Sequence, residues 1–234
     1  MADKGEFPVK IAILTAMEIE RREIAKLLSN ARNRTECGFD WLEGRLGANE
    51  ILPTAGGIGK VNAALTAAGA FHAFHPDALL STGCAGGLAE NLALGDIIAG
   101  SSYAYHDVDC CAFGNVRGQM QGLPPRFPAD GRLLSIAQET GAKAGLMVSG
   151  DQFITPGERL EDIRKAFPEA LACEMESAAI AQACYLAKVP FLSLRVISDT
   201  PGGAKASHLA QYENFWQSMA EKSFGFAKIF LERL

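Results

Sequence analysis

The run from Ala170 to Asp199, ALACEMESAAIAQACYLAKVPFLSLRVISD, constrains the fold more than any other stretch. Ala170–Met175 is short and apolar and predicts a strand. Glu176–Ala187 sets Ile180, Ala183, Cys184 and Ala187 on one stripe at helical spacing. Pro190 disfavours helix at the residue before it, so the helix ends around Lys188-Val189. Phe191–Ile197 is a second apolar run and a second strand. Two acids mark the ends of these runs. Glu176 stands where the first strand gives way to the helix, and Asp199 stands just past the second strand. Ligands of open α/β sheets bind beyond the carboxyl ends of strands. The two acids are therefore candidates for one shared site.

The rest of the chain alternates in the same way. Val9–Leu14 predicts a strand and Met17–Leu28 an amphipathic helix with Glu18, Glu20 and Glu23 near its start, where the helix dipole favours them. Phe39–Arg45 and Glu50–Thr54 predict paired strands. Gly56-Gly57-Ile58-Gly59-Lys60 is a turn into a helix over 61–74. Ala78–Ser81 is a strand followed by a glycine-rich turn, Thr82–Gly87. Asp96–Ala99 and Ser101–His106 are two further strands, and 114–130 is a long loop. Gly131–Thr140 is helical, Ala144–Ser149 is a strand, and Pro156–Phe167 is a helix with Pro156 near its first turn. A loop over 200–208 precedes a last helix, about 211–234. This pattern predicts one three-layer α/β/α domain over residues 1–234, with 1–8 as a flexible extension. If the strands are parallel, Met17, Glu20, Cys84, Gly86, Phe153, Ile154, Met175, Glu176, Ser198 and Asp199 converge on one edge of the sheet. Such a mixture suits a small ligand with a flat apolar part and several hydroxyls.

Bulk properties exclude several classes. The 234 residues carry a net charge of −5 and no basic block, which argues against a nucleic-acid surface. No apolar run is long enough to span a membrane. The N-terminus lacks the apolar core of a signal peptide. Six cysteines without CxxC or zinc spacing suit a reduced, cytoplasmic protein.

Several motifs have ordinary readings. Gly56–Lys60 fails both nucleotide-loop patterns, because Thr54 replaces the first P-loop glycine and Asn62 the last glycine of GxGxxG. Cys84 has no local activator and reads as a small buried residue. His72, His75, His106 and His208 form no metal-binding spacing. Glu18, Glu20 and Glu23 read as a solvated helix start. Glu174 and Glu176 alternate on one strand face inside an apolar run, which is costly for a carboxylate unless it is paired. Arg195 interrupts the neighbouring apolar run in the same way.

Taken in order, these segments resemble the 5'-methylthioadenosine/S-adenosylhomocysteine nucleosidases of the purine nucleoside phosphorylase superfamily. The residues that carry the resemblance are Ala16-Met17-Glu18-Ile19-Glu20, Gly56 to Val61, Thr82 to Leu88, Tyr105-His106-Asp107 through Phe113-Gly114, Ser149 to Ile154, Glu174-Met175-Glu176 with Ala178 and Ile180, Val189 to Asp199, and Ser207-His208-Leu209. The resemblance implies a nucleoside phosphorylase-like fold with a central mixed sheet, a cofactor-free hydrolase, and a homodimer. It implies that Asp199 protonates N7 of adenine and that Glu20 helps deprotonate the attacking water, which Arg195 helps organise. Glu176 and Met175 hold the ribose hydroxyls, and Phe153 and Ile154 hold the adenine. Met17, Ile58, Cys84, Gly86, Glu174 and Ser198 belong to the same pocket, and Phe113 reaches the partner's site.

Departures fall at Cys84, where the family has Ser, and at Asn115 and Gln121 in the loop that crosses to the partner. Tyr212 is the candidate cover of the substrate's 5' end. Two alternatives stay open: a phosphate-dependent phosphorylase and a catalytically silent nucleoside-binding protein. The first lacks a basic residue at Ser81, where hexameric phosphorylases carry Arg. Aminofutalosine and 5'-deoxyadenosine are alternative substrates.

Overall fold

The structure, a computed structural model, describes residues 9–200, 210, 212, 215 and 220–234. The extension expected over 1–8, the loop over 201–208 and His208 lie outside the described residues.

β1 (Lys10–Thr15) leads into α1 (Glu18–Ala25), then β2 (Ser29–Glu36), β3 (Phe39–Leu46) and β4 (Asn49–Ala55). α2 (Lys60–Phe74) precedes β5 (Ala78–Gly87) and β6 (Ile97–Tyr105). A single 3-10 turn, Cys111–Phe113, and the short β7 (Phe127–Pro128) interrupt the long loop. α3 (Gly131–Glu139), β8 (Lys143–Ser149), α4 (Glu158–Ala166), β9 (Ala170–Glu174), α5 (Ser177–Ala187), β10 (Phe191–Asp199) and α6 (Ala220–Leu231) complete the order.

Alternation along β1 builds the layers, because successive strand side chains face opposite ways. Ile11 and Ile13 pack with Ile24 of α1, Leu133 and Ala137 of α3, and Phe230 and Leu231 of α6. Ala12 and Leu14 pack with Ala63, Ala67 and Ala70 of α2 and Ala178, Ala179 and Ala181 of α5. A third cluster joins Leu160 and Ile163 of α4 to Leu146 and Val148 of β8.

The sheet is mixed, as expected. β4, β1, β5 and β10 run parallel in that order. β6, β8 and β9 are parallel to one another. They meet β10 and β5 antiparallel at two seams. The strands β5, β10, β6, β8 and β9 therefore close into a ring, sealed where Cys173 pairs with Gly86 and Ala172 with Gly87. Convergence of the site does not need the all-parallel sheet on which the sequence reading made it conditional. β5 and β10 are long and paired over their carboxyl halves, β9 ends beside that half of β5, and β8 ends beside β9.

Several boundaries differ from expectation. Thr82–Gly87 is not a turn but the second half of β5. Residues 97–105 form one strand with a register shift at Gly100, not two strands. α1 stops at Ala25, and α4 starts at Glu158 after Gly157, so Pro156 precedes the helix. Asp199 is the last residue of β10 rather than beyond it. Glu176 is the residue just before α5 and is not a strand mate of Glu174. β2 was unexpected: SNARNRTE is polar and almost wholly exposed, with no apolar alternation, as suits a sheet edge.

Candidate active site

A cavity of about 340 Å³ opens where β1, β5, β8, β9 and β10 end. Met17, Glu20, Ile58, Cys84, Gly86, Phe153, Ile154, Glu174, Met175, Glu176, Arg195, Ser198, Asp199 and Tyr212 all line it. Phe113 does not line it: it stands on the 3-10 turn and is 76% exposed. Thr82, Gly83, Leu88, Gln152 and Cys173 also face the cavity and were not nominated.

Its floor is charged and buried. Arg195 Nη2 donates to Glu174 Oε2 at 2.8 Å and to Ser81 Oγ at 3.0 Å. Glu174 also accepts from the Ser149 hydroxyl, from Ser177 N and Oγ, and from Glu176 N. Burial alone would raise its carboxyl, but the Arg195 charge and these donors outweigh burial and hold it below the usual range. This hydroxyl shell escaped the sequence reading; its only signal was a serine inside or ending an apolar strand.

Glu176 accepts from Gly59 N at 2.9 Å, and its other oxygen lies 3.9 Å from Arg195 Nη2. Burial, and then the Glu174 charge, push its carboxyl above the usual range. Glu20 is 2% exposed, so it is not part of a solvated helix start. Glu18 and Glu23 are: they pair with Arg21 and Lys26 on the surface. Glu20 Oε2 accepts from Ala16 N at 2.9 Å and Met17 N at 2.8 Å, which caps α1. Burial pushes its carboxyl up to about 7, against these bonds and the Arg195 charge.

Two glycines of β5 make room for two acids. A Cβ on Gly83 would sit 2.7 Å from Glu20 Oε1, and one on Gly86 would sit 3.0 Å from Asp199 Oδ2. The glycines mistaken for a turn mark close approach within a strand. Asp199 is buried, and Ser198 Oγ donates to its Oδ1 at 2.6 Å.

Apolar side chains close the other walls. Tyr212 stacks edge-on to Phe153 at 5.4 Å between centroids, and its hydroxyl lies 3.9 Å from Met17 Sδ. Cys84 is held neutral: burial, then the Glu20 charge, push its thiol far up. His106 lies outside the cavity, and burial pushes it down to about 4. Among the described residues, no three His, Cys, Asp or Glu side chains are arranged to hold a metal ion. The site thus offers carboxylates that exchange protons near neutrality, one guanidinium, and a flat apolar slot.

Residues 10–232 match the family model described as the phosphorylase superfamily. A 5'-methylthioadenosine/S-adenosylhomocysteine nucleosidase from Staphylococcus saprophyticus is 42% identical over 199 residues, 82% of this chain and 87% of that protein. The structure of such a nucleosidase from Colwellia psychrerythraea, in complex with adenine, superimposes with a TM-score of 0.92. It is 35% identical, and the match covers 97% of this chain and 96% of that one. The enzyme from Neisseria meningitidis, in complex with methylthio-immucillin-A, gives a TM-score of 0.89 at 36% identity, covering 96% and 99%.

Proposed function

This chain belongs to the 5'-methylthioadenosine/S-adenosylhomocysteine nucleosidases of the phosphorylase superfamily, and from that premise we propose how its carboxylates divide the reaction. The protein hydrolyses the N-glycosidic bond of 5'-methylthioadenosine or S-adenosylhomocysteine and releases adenine. As the bond breaks, positive charge grows on the ribose and negative charge on the base.

Asp199 protonates N7, so that adenine leaves neutral. Ser198 orients the carboxyl through its bond to Oδ1. Glu20 takes a proton from water as the water oxygen attacks C1' of the ribose. A carboxyl poised at about 7 suits that exchange. Glu176 and Met175 hold the ribose hydroxyls, and the carboxylates favour oxocarbenium character in a site shielded from water. Phe153 and Ile154 flank the base. Tyr212, beside Met17, covers the 5' substituent.

One observation carries this assignment: Glu20, Glu176 and Asp199 line the same apolar cavity from three different elements. Water, rather than phosphate, is the nucleophile. Among the described residues lining the cavity Arg195 is the one cation, and Glu174 and Ser81 already engage it.

Two copies assemble, with Phe113 of each reaching the other's cavity. Val61 and Leu65 of α2 and Val116 in the long loop are exposed together with Phe113, which supports such a contact. The cytoplasm suits the six free cysteines.

Adenine release from methylthioadenosine in phosphate-free buffer tests the reaction. Release that requires added phosphate overturns it. Sedimentation of the wild type and of Phe113→Ala tests the dimer: loss of activity with an intact dimer is expected, and a monomeric wild type overturns the assignment.

A further inference from the structure

Outside the cavity wall, three charged side chains tie two of its loops together. Lys60 begins α2, Asp107 follows β6, and Asp151 follows β8. None of them lines the cavity. Lys60 Nζ donates to Asp107 Oδ2 at 2.6 Å, and Asp151 N donates to the same oxygen at 3.0 Å. Lys60 N donates to Asp151 Oδ1 at 2.7 Å. Lys60 Nζ also lies 5.3 Å from the centre of the Tyr105 ring. Lys60 and Asp107 are largely buried, at 22% and 14% side-chain exposure.

The arrangement is unusual for a helix start. A helix normally takes its cap from Ser, Thr, Asp or Asn at the residue before it. Here that residue is Gly59, which has no side chain to offer. The cap comes instead from Asp151, far away in sequence. A Cβ at Gly59 would lie 2.9 Å from Asp151 Oδ1. Next to it, Gly59 N donates to Glu176 Oε1 at 2.9 Å. Asp151 itself opens the loop that carries Gln152, Phe153 and Ile154 into the cavity.

We propose that Lys60, Asp107 and Asp151 are positioning residues, a clasp that sets the Gly59 N–H on Glu176 and the 152–154 loop on the base together. The proposal rests on the nucleosidase assignment of Glu176 to the ribose and of Phe153 and Ile154 to adenine. One small cluster then fixes the distance between the sugar side and the base side of the site. A simple ion pair needs neither the borrowed cap nor the shared oxygen.

Three variants test it: Asp151→Ala, Asp151→Asn and Lys60→Met. Asp151→Ala removes the cap and is expected to lower kcat/KM about 10- to 100-fold, as small misplacements of a reacting group do. Asp151→Asn keeps an oxygen for Lys60 N and restores most of that loss. Lys60→Met keeps the backbone donor but frees Asp107, and falls in between. The pH profile separates positioning from stability. Glu176 faces Glu174 from β9, Arg195 from β10, Glu20 from α1 and the Gly59 N–H from α2. Only the last weakens in these variants, so the acid limb of kcat/KM moves to higher pH in Asp151→Ala and Lys60→Met. Variants that melt earlier yet keep the wild-type kcat/KM and pH profile while folded overturn the clasp. If Asp151→Ala does not fold, Lys60→Met decides. Adenine affinity, read by calorimetry, is a second measure: weaker binding in Asp151→Ala supports the clasp, and unchanged binding counts against it. A wild type that binds adenine but releases none overturns the nucleosidase assignment instead.

Discussion

Arg195 Nη2 and Glu174 Oε2 lie 2.8 Å apart at the floor of the cavity, with each side chain only 3% exposed. Neither is the proposed acid or base. Their pairing lets a guanidinium and an ionised carboxylate persist beneath an apolar slot; Ser81 accepts from the guanidinium, and Ser149 and Ser177 donate to the carboxylate.

Breaking this pair by removing one partner leaves a buried charge unmatched. Glu174→Gln is expected to lose about 3 kcal/mol of stability, the usual scale for such a change. The urea midpoint measures it. The native carboxyl titrates below its unfolded value, so the contribution is present above about pH 4.5 and disappears as pH falls through the native value. Between pH 7 and pH 3 the gap between wild type and variant should narrow; a constant gap counts against the assignment.

Glu20 has the opposite sign. Its native carboxyl titrates at about 7, above the unfolded value of 4.5. Its favourable contribution is complete below about pH 4.5 and is lost as pH rises through 7. At pH 8 the wild type holds a buried ionised carboxylate that Glu20→Gln does not. The variant keeps an oxygen for Ala16 N and Met17 N. It is expected to be more stable than wild type at pH 8, by about 1–3 kcal/mol. It is also expected to lose about 10²- to 10⁴-fold in kcat. Paired urea titrations at pH 5 and pH 8, with adenine release, measure both; a less stable variant at pH 8 refutes the sign.

How much of this was legible depended on how local each cause was. Glu176, Arg195 and Asp199 interrupt or end apolar runs, where a charge is costly, so pattern alone marked them. Glu20 was masked by its neighbours Glu18 and Glu23, which are ordinary surface acids, and only the resemblance assigned it a role. The glycines of β5 misled because local sequence reads Gly as a turn former. Their cause lies in Glu20 and Asp199, which approach from other elements. β2 has no apolar face to betray it. The Lys60–Asp107–Asp151 cluster is assembled from three segments, and no window of sequence contains it.

The glycines provide a third prediction. In Gly83→Ala the new methyl meets Glu20 Oε1 at 2.7 Å, and the carboxylate must shift. Its two backbone bonds at the start of α1 resist the shift. A loss in kcat/KM of about 10²-fold is expected, the scale of an ångström-sized displacement. Gly131→Ala is the control, since nothing lies within 4 Å of a Cβ there. Steady-state rates of both variants measure the difference, and equal rates remove Gly83 from the account.

Asp199→Asn isolates protonation of the leaving base. The change is nearly isosteric, and an amide oxygen still accepts from Ser198 Oγ, so the end of β10 keeps its geometry. The amide cannot deliver a proton to N7. A loss of at least about 10²-fold in kcat is expected, with KM little changed, since the acid acts as charge develops rather than on binding. A leaving base that is itself more acidic needs less help. A substrate analogue with an electron-poor purine should therefore lose less than methylthioadenosine does on the same substitution. Single-turnover rates for the two substrates in both proteins measure this. Equal losses would mean that Asp199 positions the base without protonating it.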